Sequence, residues 1–171
     1  VVRKESEVSS MGMDVYGKAP KSEKGEYFRN NVWWWRPLWD YVERVAPDLV
    51  NGVSGHYNDG DGLGAEGAEL LSQVLMIKLS DGSCEAYEKE YKAYLESLPN
   101  VKCDFCDGMG IVQVKPEWPD YEEGVVKFRD PCNSCNGTRE KEPWEKHYPF
   151  STENVREFAE FLADSGGFEI C

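Results

Sequence analysis

Two matched cysteine pairs, Cys103-Asp104-Phe105-Cys106 and Cys132-Asn133-Ser134-Cys135, constrain this chain more than any other feature. A C-x-x-C pair puts two thiolates on one turn, and two such pairs supply the four sulfurs of a tetrahedral structural metal site. Each pair runs on into glycine, as Asp107-Gly108-Met109-Gly110 after the first and Asn136-Gly137-Thr138 after the second. Glycine reaches backbone conformations that a β-carbon disfavours, so the amides can turn back towards the sulfurs. A thioredoxin-type redox pair acts singly, at a helix N-terminus that follows a strand. Here the pairs come as a set among glycine turns. The spacing therefore predicts one structural Zn2+ held by Cys103, Cys106, Cys132 and Cys135. Cys84 and Cys171 are isolated in sequence and are not expected to be ligands.

Between the pairs, Ile111–Val114 and Val125–Phe128 read as two short strands, with Lys115–Gly124 as a long polar tip containing two prolines. A hairpin with a knuckle at its open end closes on one metal. Its apolar content is small, so the metal is expected to supply much of the local folding energy. The first cluster, CDFCDGMG, is a full C-x-x-C-x-G-x-G and resembles the cysteine-rich zinc-binding repeat of DnaJ-type chaperones. The second, CNSCNGTR, keeps C-x-x-C-x-G and loses the last glycine. That family carries four such repeats and two zinc ions, whereas this chain has two repeats and no segment like a J-domain helix. The resemblance covers residues 103–139 and implies one zinc in half of a DnaJ-like module, without co-chaperone activity.

A length of 171 residues suits one domain, or one domain with a small appended module. Its 22 aromatic residues are enough for a real core. There is no run of about 18 apolar residues and no signal-peptide pattern, and four of the six cysteines are paired as metal ligands. These features predict a soluble, cytoplasmic protein in a reducing compartment with no membrane contact. The net charge is -13. Residues 1–50 balance eight basic against eight acidic side chains, but residues 51–100 carry three against nine and residues 151–171 one against five. No basic stripe exists to neutralise phosphates, so direct nucleic-acid binding is disfavoured.

Residues 1–10 are polar and aperiodic and read as a flexible leader, with Met11 as the more natural start. Residues 11–100 read as a helical body, 101–142 as the zinc-binding hairpin module, and 143–171 as a C-terminal helix packing back on the body. In the body, Pro37 suits the first turn of a helix whose buried face is Leu38, Tyr41, Val42 and Val45. Ala68, Leu71, Val74, Leu75 and Leu79 give a second helix a broad apolar face, ended by Asp81-Gly82. A third carries Tyr87, Tyr91, Tyr94 and Leu98 at helical spacing. Ser151 or Thr152 caps the last, with Val155, Phe158, Ala159 and Leu162 inward and a FEIC tail beyond Gly166-Gly167. The fold class is thus α+β: an aromatic-rich helical body of about four helices with an inserted zinc-stapled β-hairpin.

Three segments, MGMDVYGK, GEYFRNNVWWWRPLW with GHYNDGDGL, and YPFSTENVREFAEFLADSGGFEIC, resemble a family of uncharacterised bacterial and phage proteins. The likeness implies a prokaryotic or phage cytoplasmic origin and carries no catalytic residues with it.

Outside the cysteines, two segments stand out. The loop Ser54-Gly55-His56-Tyr57-Asn58-Asp59-Gly60-Asp61-Gly62 invites a calcium reading, but Tyr57 and Ala68 occupy the first and last ligand positions of an EF-hand register. His56, Asp59 and Asp61 could instead belong to a second metal or acid–base site, although hydrolytic sites ordinarily use more ligands. No nucleophile elbow, P-loop or dinucleotide fingerprint is present. Trp33, Trp34 and Trp35, followed by Arg36, cannot all face one way on a helix or a strand, so one of them is expected at a surface. The sequence reading is that this tryptophan run and the His56–Asp61 loop approach each other and frame a binding surface, supported by the zinc module. The favoured function is a non-enzymatic zinc-binding regulatory protein of a bacterium or phage that contacts a protein partner. An enzyme or small-ligand binder using the 54–64 loop, and a nucleic-acid-associated zinc ribbon, are the alternatives.

Overall fold

The computed structural model of the chain describes residues 12–114 and 127–171. The leader, Met11, Val125, Val126 and the Lys115–Gly124 tip lie outside the described residues. The fold is an α+β mix in two compact units, Val1–Tyr94 with His147–Cys171, and Leu95–Lys146. The second unit is a few residues longer at each end than the 101–142 module read from the sequence.

In the first unit, strand β1 (Gly12–Gly17) alternates as a half-buried strand should, with Met13 and Val15 inward and Tyr16 exposed. It pairs antiparallel with β2 (Tyr27–Asn31), Val15 opposite Phe28, and on its other side with β8 (Gly167–Ile170), Val15 opposite Ile170. A short strand, β3 (Gly62–Gly64), pairs with β8 and completes a four-stranded antiparallel sheet in the order β2-β1-β8-β3. The segment read as a C-terminal tail is therefore an interior strand, with Phe168 and Ile170 fully buried. Four residues with a leading glycine give no readable period. The strand forms because β1 and β3 satisfy its backbone from both sides.

Helix α1 (Val32–Val45) begins where the Asn31 side chain accepts the Trp34 N–H at 3.1 Å. This cap starts the helix five residues before Pro37, which sits inside it rather than in its first turn and forgoes one intrahelical bond. The buried face is Trp35, Leu38, Trp39, Tyr41 and Val42. Trp35 and Trp39 stack with ring centroids 5.6 Å apart, and Phe158 meets Trp35 edge-on at 5.5 Å. Helix α2 (Ala65–Ser80) buries Ala68, Leu71, Ser72, Leu75 and Leu79 and packs on α4 (Thr152–Ser165), which buries Val155, Phe158, Ala159, Phe161 and Leu162. The Ser72 hydroxyl donates to the Ala159 carbonyl at 2.7 Å, so the one polar side chain on that face is satisfied. Helix α3 (Ser83–Ser97) joins the core less fully than its tyrosine spacing suggests. Only Cys84 is buried; Tyr87 and Tyr91 pack partly, while Tyr94 is 54% exposed.

The 54–61 loop is fixed to α1. Trp35 Nε1–H donates to the Gly55 carbonyl at 2.7 Å, and a β-carbon on Gly55 would fall 1.7 Å from Trp39 Cε2. Gly55→Ala is therefore expected to lift the loop off α1 and lower stability by about 2–3 kcal/mol in urea denaturation. A loss below about 0.5 kcal/mol would show that the loop adapts without leaving the tryptophans.

Candidate metal centre

In the Leu95–Lys146 unit, β4 (Val101–Lys102) leads into the first cysteine pair and β7 (Glu140–Lys141) leaves the second, and the two pair antiparallel. This two-residue ribbon was not anticipated. The expected hairpin is present as β5 (Val112–Val114) against β6 (Lys127–Arg129), with Gln113 opposite Phe128. The two ribbons hold the ends of both knuckles, so residues 29 apart in sequence converge.

Cys103, Cys106, Cys132 and Cys135 are buried, and their four sulfurs all lie within 4.8 Å of one another. Cys106 Sγ and Cys135 Sγ are 3.7 Å apart. Sulfurs at about 2.3 Å from a tetrahedral metal are separated by about 3.8 Å along each edge, whereas a disulfide would bring them to about 2 Å. All six cysteines are free thiols. The cluster is positioned to bind one metal ion.

The backbone is arranged for the same end. Gly110 N–H donates to Cys106 Sγ at 3.3 Å, and backbone N–H groups led by that of Cys106 hold the Cys103 thiol well below its ordinary value. Amides directed at sulfur stabilise thiolate, the form a metal binds. The two knuckles repeat each other residue for residue. Asp107 and Asn136 both have φ 51°, Gly108 and Gly137 have 70° and 81°, and Gly110 and Arg139 have 80° and 73°. Arg139 thus occupies, in the left-handed region, the place where the first knuckle has glycine. Cross-links tie the halves: Cys132 N–H donates to the Gly110 carbonyl at 2.7 Å, and Cys103 N–H to the Arg139 carbonyl at 2.9 Å. On the surface Lys141 pairs with Asp104 at 2.5 Å and Lys102 with Asp107, while Phe105 and Met109 are each 57% exposed.

The other sequence-selected residues lie in the first unit. Trp35 is fully buried, Trp33 and Trp34 are half-buried, and Arg36 is exposed. Trp33 packs on Tyr148 with centroids 5.0 Å apart. His56 does sit against α1, but the carboxylates facing it are not Asp59 and Asp61. His56 Nε2 is 3.2 Å from Asp40 Oδ1 and 3.8 Å from Glu43 Oε2, and the hydrogen bond to Asp40 raises its pKa above the ordinary histidine value. Glu43 is in turn held by Trp39 Nε1–H at 3.0 Å. These three donors also lie within 4.8 Å of one another, on a solvent-open face. Asp61 is consumed by its own loop: one carboxylate oxygen accepts the Ser54 N–H at 2.7 Å and the other the Gly62 N–H at 2.8 Å, which lowers its pKa. Asp59 is exposed and accepts the Asp61 N–H at 3.3 Å.

No protein-family model matches the chain, and no curated protein or solved structure matches it either. Among the described residues, no helix is long and apolar enough to cross a membrane.

The glycine-to-arginine difference between the knuckles has a measurable cost. Left-handed backbone disfavours a β-carbon by about 1–2 kcal/mol, offset in part by the entropy a glycine loses on folding. Arg139→Gly is expected to stabilise the 95–146 unit by about 0.5–1 kcal/mol, read from the urea dependence of its amide resonances. Gly110→Ala should destabilise it, because φ is 80° and the added carbon would lie 3.0 Å from the Gly137 carbonyl oxygen. Equal effects of one sign from both substitutions would contradict the matched-knuckle account.

Proposed function

We propose that the chain is a zinc-stabilised, non-enzymatic interaction protein of bacterial or phage origin, acting in the cytoplasm through protein contacts. The observation that carries this reading is the buried four-cysteine cluster, its sulfurs all within 4.8 Å of one another and one pair 3.7 Å apart. Soft thiolates in this geometry select zinc or an iron–sulfur centre over hard cations, and the paired knuckles resemble half of a DnaJ-type zinc module. Four protein ligands fill a tetrahedral zinc and leave no position for water or substrate, so the metal is structural. Its thiolates would leave the centre with a net charge of about -2, moderated by Lys102 and Lys141 nearby.

Support for protein contacts comes from chemistry at the same unit. Phe105 and Met109 expose apolar side chains on the first knuckle, where large hydrophobic groups at a surface suit a protein partner. The acidic balance of the chain opposes binding along a nucleic-acid backbone. In the first unit, His56 faces Asp40 and Glu43 while Asp61 is taken up by backbone N–H groups, an arrangement that stabilises a loop without assembling a nucleophile.

Reduced purified protein is expected to contain one zinc per chain and no iron by elemental analysis. Cys132→Ser should lose the metal and the dispersed amide resonances of residues 101–114 and 127–141, while the helical circular dichroism from α1, α2 and α4 persists. Metal-free native protein, or a native Cys103–Cys106 disulfide, would overturn the structural-zinc reading. A salt-sensitive submicromolar shift of random-sequence duplex DNA would replace protein contact with nucleic-acid contact.

A further inference from the structure

The last turns of α1 and α2 and the start of α3 border a cavity of about 430 Å³ in the first unit. That size lies in the range of small-molecule sites. Tyr87 gives it an aromatic wall and Val45 and Ala86 add apolar surface, while Tyr41 borders it but is itself buried. Its charge is opposite to that of the chain. Arg44 and Lys78 line it against a single acid, Glu90, although the protein carries 32 acidic side chains to 19 basic ones.

Neither cation lies within 4 Å of a carboxylate oxygen, a state they share with other described cations such as Arg36 and Lys89, and Lys78 is near enough to Asp81 to help lower its pKa. The Arg44 guanidinium lies over the Tyr87 ring, 5.3 Å from its centroid. Stacking fixes the guanidinium plane while leaving its N–H edge available, the arrangement that recognises an oxyanion in bidentate fashion. Both side chains also sit in the last turn of their helices and complement the C-terminal partial charge there. That accounts for a cation on each helix. It does not account for two cations without a direct ion pair sharing one cavity with an aromatic wall.

We propose that this cavity binds a small organic oxyanion, a carboxylate or phosphate head on an apolar body, with Arg44 and Lys78 holding the head and Tyr87 flanking the body. The site is independent of the metal centre and needs no change in the fold.

The test is titration of the zinc-loaded full chain with benzoate and, separately, phenyl phosphate, followed by amide and arginine side-chain resonances. Saturable shifts are expected at Arg44 Nε–H, Ala86 and Tyr87, at roughly millimolar concentration, and the tighter probe identifies the head group. Arg44→Ala should weaken binding at least about tenfold with the circular dichroism unchanged, and Arg44→Lys should restore part of it. Glu90→Gln should tighten binding several-fold by removing the acid that opposes the ligand, a gain that a purely structural role for these side chains does not produce. The proposal is overturned if neither probe gives saturable shifts at these residues, if Arg44→Ala binds as wild type does, or if benzylammonium binds there as well as benzoate.

Discussion

In the Leu95–Lys146 unit a buried four-cysteine cluster, positioned to bind a metal ion, stands in place of a hydrophobic core. Among its described residues, the buried cluster consists of Cys103, Cys106, Cys132 and Cys135, with Val112 partly buried against them. A few short ladder pairs and a handful of apolar contacts cannot offset the entropy of ordering such a stretch, at about 1–2 kcal/mol per residue. Four thiolate bonds to one ion would, and a metal held there would also tie the pairing of β4 with β7 and of β5 with β6 to the point where both knuckles meet. The first unit follows the opposite strategy. Its core is broad and aromatic, with Trp35, Trp39, Phe158 and Phe168 in mutual contact between helices and sheet.

What the sequence made legible follows from how local each signal is. Ligand identity depends on spacing within four residues, so all four cysteines could be named from the chain alone. The helices were readable because their apolar period runs over 14 to 16 residues, and α4 carries its predicted face with Phe161 added. Strands β2, β3, β4, β7 and β8 were not, since runs of two to five residues without a sustained apolar alternation acquire strand structure only from a pairing partner. The surroundings of His56 failed for the same reason. Asp59 and Asp61 are its sequence neighbours, but Asp40 and Glu43 reach it because Trp35 and Trp39 draw Gly55 onto α1. Arg139 shows the converse. Its place in the repeat was legible, while its left-handed conformation became apparent only beside Gly110.

Tryptophans that could have framed a surface are divided between roles. Trp35 and Trp39 are interior pillars that also position the 54–61 loop, whereas Trp33 and Trp34 remain half-buried. The features left over after stability is explained are therefore few: the exposed Phe105 and Met109 on the knuckle, and the basic, aromatic cavity between α1, α2 and α3. They lie in different units, and the ligands proposed for them differ: a protein surface for the first and a small oxyanion for the second.

X-ray absorption at the zinc edge of the purified, reduced protein tests the central claim most directly. The account predicts a single shell of four sulfur scatterers at about 2.3 Å, with no nitrogen or oxygen ligand. A first shell containing nitrogen or oxygen at about 2.0–2.1 Å would contradict it, because at least one of the four cysteines would then not be bound to the metal on which this unit depends.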